Sequence, residues 1–127
     1  MNIRRISNYV SRLYDDCLKD SGLTISQYSL LSHLNKLDAP SITELAAAVN
    51  LDRTTLVRNL KPLMKAGLIE DLSEEGARNR VLRVTEEGRG TLKSARPMWE
   101  EAQKMLVAKI GKEHADILGA IIVELGA

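Results

Sequence analysis

The sequence predicts a mainly α fold carrying one small β-hairpin, and three observations predict it. Apolar residues recur at three- and four-residue steps through most of the chain, two short helix patterns with capping signals flank a tight turn, and two short β-prone runs bracket a turn-rich segment. At 127 residues with 44% hydrophobic content, the chain is sized for a single domain with a packed core, here 1–127. Phe is absent and aromatics make up 3%, so Leu, Ile, Val and Ala must fill that core, as helix-on-helix packing allows.

The elements follow in order. Ile3, Ile6, Val10, Leu13 and Cys17 alternate three- and four-residue steps, the spacing of a heptad seam, and predict a first helix packed lengthwise against other helices. Asp20, Ser21 and Gly22 end it. Thr24 and Gln27 match a capping box that opens a second helix, with Tyr28, Leu31 and Leu34 on one face and an end near Leu37. After Asp38, Ala39 and Pro40, Ser41 and Glu44 match a second capping box, and Ile42, Leu45, Ala46 and Val49 form the inward side of a short helix. Asn50 and Leu51 turn the chain, Asp52 is a suitable N-cap, and Leu56, Val57, Leu60, Leu63 and Met64 repeat inward at helical spacing. Pro62 lies inside this pattern, which continues in phase through it, so the expectation is one helix kinked near Arg58 to Pro62.

Gly67 closes that helix. Leu68–Leu72 and Arg80–Val84 read as two strands around Ser73–Asn79, a hairpin of the length used as a wing. Thr85 caps a further helix whose first turn carries Glu86 and Glu87, and Gly88, Gly90 and Pro97 weaken or bend it. Met98, Trp99, Ala102, Met105, Leu106 and Ile110 line one more stripe; after Gly111, Ile117, Leu118, Ile121, Ile122 and Leu125 line another. The expected architecture is a winged helix-turn-helix lobe over about 24–96, with terminal helices at about 1–20 and 98–127. Neither terminal stripe can be buried by one small lobe, so Ile3, Ile6, Val10, Leu13, Cys17, Ile117, Leu118, Ile121, Ile122 and Leu125 are expected to bury themselves in a homodimer.

Charge points toward a partner. Net charge is only +1, yet residues 53–96 hold ten Lys and Arg against six Asp and Glu, while both flanking segments are slightly acidic. With the apolar side of the second helix of the pair inward, Arg53, Thr54, Thr55, Arg58, Asn59 and Lys61 are left outside. These residue types suit double-stranded DNA: Arg reads guanine, Asn reads adenine, Thr meets phosphate or a thymine methyl, and Lys meets phosphate. Arg78 and Arg80 on the hairpin are placed for the neighbouring backbone or minor groove, and Ser41 and Thr43 for backbone phosphate.

Five stretches stand in a characteristic order and spacing: Gly22-Leu23-Thr24 with Gln27, Ile42-Thr43-Glu44-Leu45-Ala46, Leu51 through Leu60 with its Asp-Arg-Thr-Thr start, Gly67-Leu68-Ile69-Glu70, and Val84-Thr85-Glu86-Glu87-Gly88-Arg89. Together they resemble the multiple antibiotic resistance regulator (MarR) family of winged-helix proteins. The resemblance implies an obligate dimer with interlocked terminal helices, two lobes reading a pseudo-palindrome, and a small-molecule or oxidant signal; repression is the expected mode. One departure falls at the wing tip: where many members carry Asp-Arg-Arg, this sequence has Gly76, Ala77 and Arg78, so the acidic partner of the arginine is missing and Glu74 or Glu75 is left to orient it.

Other chemistry is poorly served. Cys17 is the single cysteine, sits at a seam position and neighbours Asp15 and Asp16, whose charges repel a thiolate, so a structural role is expected over oxidant sensing. His33 and His114 have no second ligand at metal spacing, no cofactor motif appears, and no nucleophile–base pair or phosphate loop suggests an enzyme. Tyr9, Arg12, Tyr14, Tyr28 and Trp99 are candidates for an effector cleft, with amphipathic core packing as the simpler reading. No apolar run reaches the roughly 20 residues of a membrane span, and a cytoplasmic setting is expected. The competing functional class is a winged-helix protein-interaction module, whose outward helix face would carry apolar anchors in place of Arg, Thr and Asn.

Overall fold

The computed structural model describes residues 2–126. Its elements run α1 (Ile3–Leu18), a single 3-10 turn (Lys19–Ser21), α2 (Ile25–Lys36), α3 (Ile42–Val49), α4 (Arg53–Lys65), β1 (Ile69–Asp71), β2 (Leu82–Val84), α5 (Glu86–Ile110) and α6 (Lys112–Leu125). The chain divides into two compact units, one of residues 26–93 and one of residues 1–25 with 94–127.

The middle unit is built on local signals that the sequence advertises. The Ser41 hydroxyl accepts from the Glu44 amide while the Glu44 carboxylate accepts from the Ser41 amide, a complete capping box at the start of α3. Asn50, at φ 55°, ends α3 in the left-handed region. Asp52 caps α4 through the Thr55 amide at 2.8 Å. Gly67 at φ 76° terminates α4: its amide bonds to Met64 and the Leu68 amide to Leu63, a Schellman closure in which Leu63 and Leu68 are both buried.

Leu30, Leu31, Leu34, Ile42, Leu45, Leu56, Leu60, Leu63, Ile69, Leu82 and Val84 form the core of this unit. Val57 and Met64, expected inward, are 36% and 41% exposed instead. The buried arc of α4 is narrower than the sequence pattern, because Leu56, Leu60 and Leu63 already fill one side and the two outliers flank it.

Strands β1 and β2 pair antiparallel, with Ile69 opposite Val84, Glu70 opposite Arg83 and Asp71 opposite Leu82, and are shorter than the runs that suggested them. A third segment joins them: Ser41 bridges Val81, the Ile42 amide donates to Arg80 and the Leu82 amide to Pro40. The hairpin is thus sewn to the start of α3, a pairing no local pattern announces. Thr85 then does two jobs, donating to the Gly67 carbonyl at 2.7 Å and accepting the Gly88 amide at 3.0 Å as α5 begins.

Helix α5 is unbroken through Gly88, Gly90 and Pro97, and α4 through Pro62. Pro62 and Arg58 are both exposed, so the carbonyl that loses its partner at Arg58 lies where water can serve it.

In the other unit, Tyr14, Leu18, Leu23, Ala95 and Ala102 are buried, and the Asp15 carboxylate accepts the Ile25 amide at 2.7 Å. Gly22 takes φ 78° after the 3-10 turn. Helix α6 has no buried residue: Ile117, Leu118, Ile121, Ile122, Val123 and Leu125 are 38–80% exposed, as are Ile3 and Ile6 on α1 within that range. Val10, Leu13 and Cys17 are half-buried. No described helix is long and apolar enough to cross a membrane.

Candidate nucleic-acid interface

On α4 the buried leucines define one pole, and Thr54, Arg58, Lys61 and Lys65, stepping by four, three and four residues, define the other. All four are exposed, and Arg58, Lys61 and Lys65 form no ion pair among the described residues. Lys65 escaped the sequence reading, although its position eleven residues after Thr54 places it on the same row. Asn59 is exposed, but helical spacing places it at the margin of the leucine side and off this row.

The remaining expected contacts have prior engagements. The Thr55 hydroxyl donates to Asp52 at 3.0 Å, so it completes the cap. Those bonds from the Thr55 amide and hydroxyl, with the nearby Arg58 charge, hold the Asp52 carboxyl below its ordinary range. Arg53 turns toward the hairpin and donates to the Arg78 carbonyl. Ser41 is 7% exposed and its hydroxyl serves the capping box, which removes it from the surface expected to meet phosphate. The Thr43 hydroxyl, exposed at the start of α3, donates to Asn79 at 3.1 Å.

At the hairpin, Arg80 pairs with Asp71 at 2.6 Å, with both side chains largely covered. Burial pushes the Asp71 carboxyl up, but the Ser73 amide and the Arg80 guanidinium outweigh it and hold the group below the ordinary carboxylate range. Arg80 therefore locks the hairpin at the tip end of its ladder. Arg78 projects from the tip, exposed, with neither Glu74 nor Glu75 in an ion pair with it. Arg83, also on the hairpin, pairs with Glu70 at 2.6 Å.

The proposed effector residues separate. Tyr14 and Trp99 pack with ring centroids 6.3 Å apart, and the Tyr14 hydroxyl donates to Gln103, which makes this pair part of the core of its unit. Burial raises the Tyr14 phenol above its ordinary value, with the Cys17 thiol adding to the effect. Tyr9 and Arg12 line an open recess of about 460 Å³ with Arg5, Asn8, Leu13 and Asp16. Tyr28 belongs to the middle unit. Cys17 is half-buried, its thiol 3.6 Å from the Met105 sulfur. Among the described residues no cluster of His, Cys, Asp and Glu could hold a metal ion.

A helix pair joined by a tight turn, a basic second helix and a short antiparallel hairpin pinned to the first helix define a winged helix-turn-helix, a class that includes DNA-binding regulators. The family model for MarR matches residues 23–76. The chain is 33% identical to the transcriptional regulator MosR of M. tuberculosis, solved in complex with DNA, over 94% of this chain and 90% of that one, with a TM-score of 0.79. It has the fold of CouR from Rhodococcus jostii, solved bound to p-coumaroyl-CoA: TM-score 0.80 and 21% identity over 97% of this chain and 87% of that one. An uncharacterized HTH-type transcriptional regulator of Bacillus subtilis, YdgJ, is 26% identical over 106 residues, which is 83% of this chain and 65% of that protein's length. The chain belongs to the MarR family, whose fold is that of transcriptional regulators and not of enzymes.

Proposed function

We propose that the chain is a sequence-specific double-stranded DNA-binding regulator that acts as a homodimer on a pseudo-palindromic operator, represses from it, and is released by a small-molecule or oxidant signal. The observation that carries the reading is the exposed row of Thr54, Arg58, Lys61 and Lys65 on α4, in the same compact unit as a hairpin whose tip presents Arg78. A helix with that face fits the major groove, and the hairpin reaches the adjacent backbone or minor groove. Arg58 and Asn59 read bases, while Lys61, Lys65 and Arg78 neutralise phosphate or enter the minor groove. The protein-interaction alternative loses ground because Val57 and Met64 lie beside the polar row and not on it.

Dimerisation is supported by the uncovered apolar side chains of α1 and α6, and two linked lobes bind best to half-sites about 34–36 Å apart. For the signal, the recess beside Tyr9 and Arg12 offers mixed polar and apolar walls, and a protein of the same fold has been solved with p-coumaroyl-CoA. The setting is the cytoplasm.

The test is selection of bound duplexes from a random pool, followed by isotherms at several salt concentrations. Arg58→Ala should lose about 1–3 kcal/mol on the selected operator and relax base preference, whereas Arg78→Ala should weaken operator and random DNA alike and flatten the salt dependence. If the pool yields no bound sequence, the function is wrong. If the two variants exchange behaviours, the helix is not the main reader.

A further inference from the structure

The hairpin has little ladder of its own beyond β1 and β2. The Leu72 amide donates to Val81 at 2.8 Å, the Ser73 hydroxyl takes the Val81 amide, and residues 74–79 add one backbone turn bond, from Ala77 to Glu74. A tip with so few internal bonds samples many conformations unless it is tied from outside. Two side-chain contacts tie it, each to a different helix of the reading pair. Thr43, in the first turn of α3, donates its hydroxyl to the Asn79 side-chain oxygen at 3.1 Å, with its amide at 3.5 Å from the same atom. Arg53, the first residue of α4, donates its guanidinium to the Arg78 carbonyl. Arg78 is therefore bracketed: its own carbonyl is held from α4, and the next side chain along is held from α3.

We propose that Asn79 is a positioning residue for Arg78, which together with Thr43 and Arg53 clamps the wing tip onto the helix-turn-helix so that Arg78 meets the duplex at a set offset from the reading face of α4. The clamp rests on the DNA-reading function proposed above. It assigns Thr43 and Arg53 to the geometry of the wing and Arg58 to the reading of bases. Each contact is exposed and individually weak, yet together they act on Arg78 and Asn79, just beyond the point where Asp71 and Arg80 close the ladder.

The experiment compares Asn79→Ala, Thr43→Val and Thr43→Ser, each made with Arg78 intact and in an Arg78→Ala background, by isotherms on the selected operator. With Arg78 intact, Asn79→Ala and Thr43→Val should each weaken binding about fivefold, the loss of a neutral hydrogen bond, and Thr43→Ser, which keeps the hydroxyl, should bind as the parent does. In the Arg78→Ala background the same substitutions should change binding by less than about twofold, the range expected when the interaction they serve is already gone. Equal losses in the two backgrounds overturn the clamp, because the residues then act on the fold or touch DNA themselves. No loss with Arg78 intact overturns it as well. A parent protein that binds no selected duplex overturns the DNA-reading function, whereas a parent that binds with additive losses overturns the clamp alone.

Discussion

Gly88 and Gly90 look alike in the sequence, two helix-weakening residues in one turn of α5, and the structure gives them opposite roles. A Cβ at Gly88 would stand 2.1 Å from the Leu68 carbonyl oxygen and 2.7 Å from a Val84 methyl, whereas one at Gly90 meets nothing within 4 Å. Gly88 is what lets the start of α5 lie against the strand backbone. Gly88→Ala should therefore destabilise the protein by about 1–3 kcal/mol, the range of overpacking, and Gly90→Ala should stabilise it by about 0.5–1 kcal/mol through backbone entropy. Urea midpoints moving in the same direction would refute the contrast. Asp71 offers a second check at this scale. Its folded pKa lies below the ordinary carboxylate value of about 3.9, so its pairing with Arg80 contributes fully above that value and is lost as pH falls through the lower, folded one. Carboxylate NMR should find Asp71 titrating below exposed carboxylates and moving up in Arg80→Ala; a titration unchanged by that substitution would mean that the pair does not hold the hairpin.

Among the elements, α4 shows why a sequence pattern overstates a core. Leu56, Val57, Leu60, Leu63 and Met64 share one broad apolar side, but three leucines suffice to fill the space against the rest of the unit, and Val57 and Met64 fall on the margins. The helix ends were legible because Ser41, Glu44, Asp52 and Gly67 act on amides and carbonyls within one turn. Pro62 and Pro97 were legible as anomalies inside continuous patterns, and α4 and α5 do run unbroken through them; how much each costs depends on whether the orphaned carbonyl faces water. Lys65 extends the polar row of α4 by one turn, so Lys65→Ala should weaken binding to operator and random DNA equally and reduce the salt slope by about 1. A selective loss on operator would make Lys65 a base reader.

For the whole molecule, the apolar residues left uncovered on α1 and α6 matter most. No described residue of α6 is fully buried within the chain, and side chains such as Ile121 and Ile122 are 44% and 51% exposed, an arrangement that favours a second copy as cover. Ile121→Glu should convert a dimer into a monomer in sedimentation velocity at micromolar concentration and abolish tight binding to paired half-sites while sparing the middle unit. A parent chain that sediments as a monomer would end the dimer proposal.

Length, apolar periodicity and capping chemistry by themselves determined the order of helices, the helix-turn-helix, the hairpin and the basic outward row, because each of those signals acts between residues a few positions apart. Only the tertiary structure decided which of the outward polar side chains remain free. The caps that take Ser41 and Thr55 are local, but Arg80 is taken by Asp71 nine residues away, Arg53 by a carbonyl 25 residues away and Thr43 by an amide side chain 36 residues away. A hydrogen-bonding group is taken by whichever partner the folded backbone delivers, and that delivery depends on strand register and on the seam between the hairpin and the start of α3, neither of which any short stretch of sequence encodes.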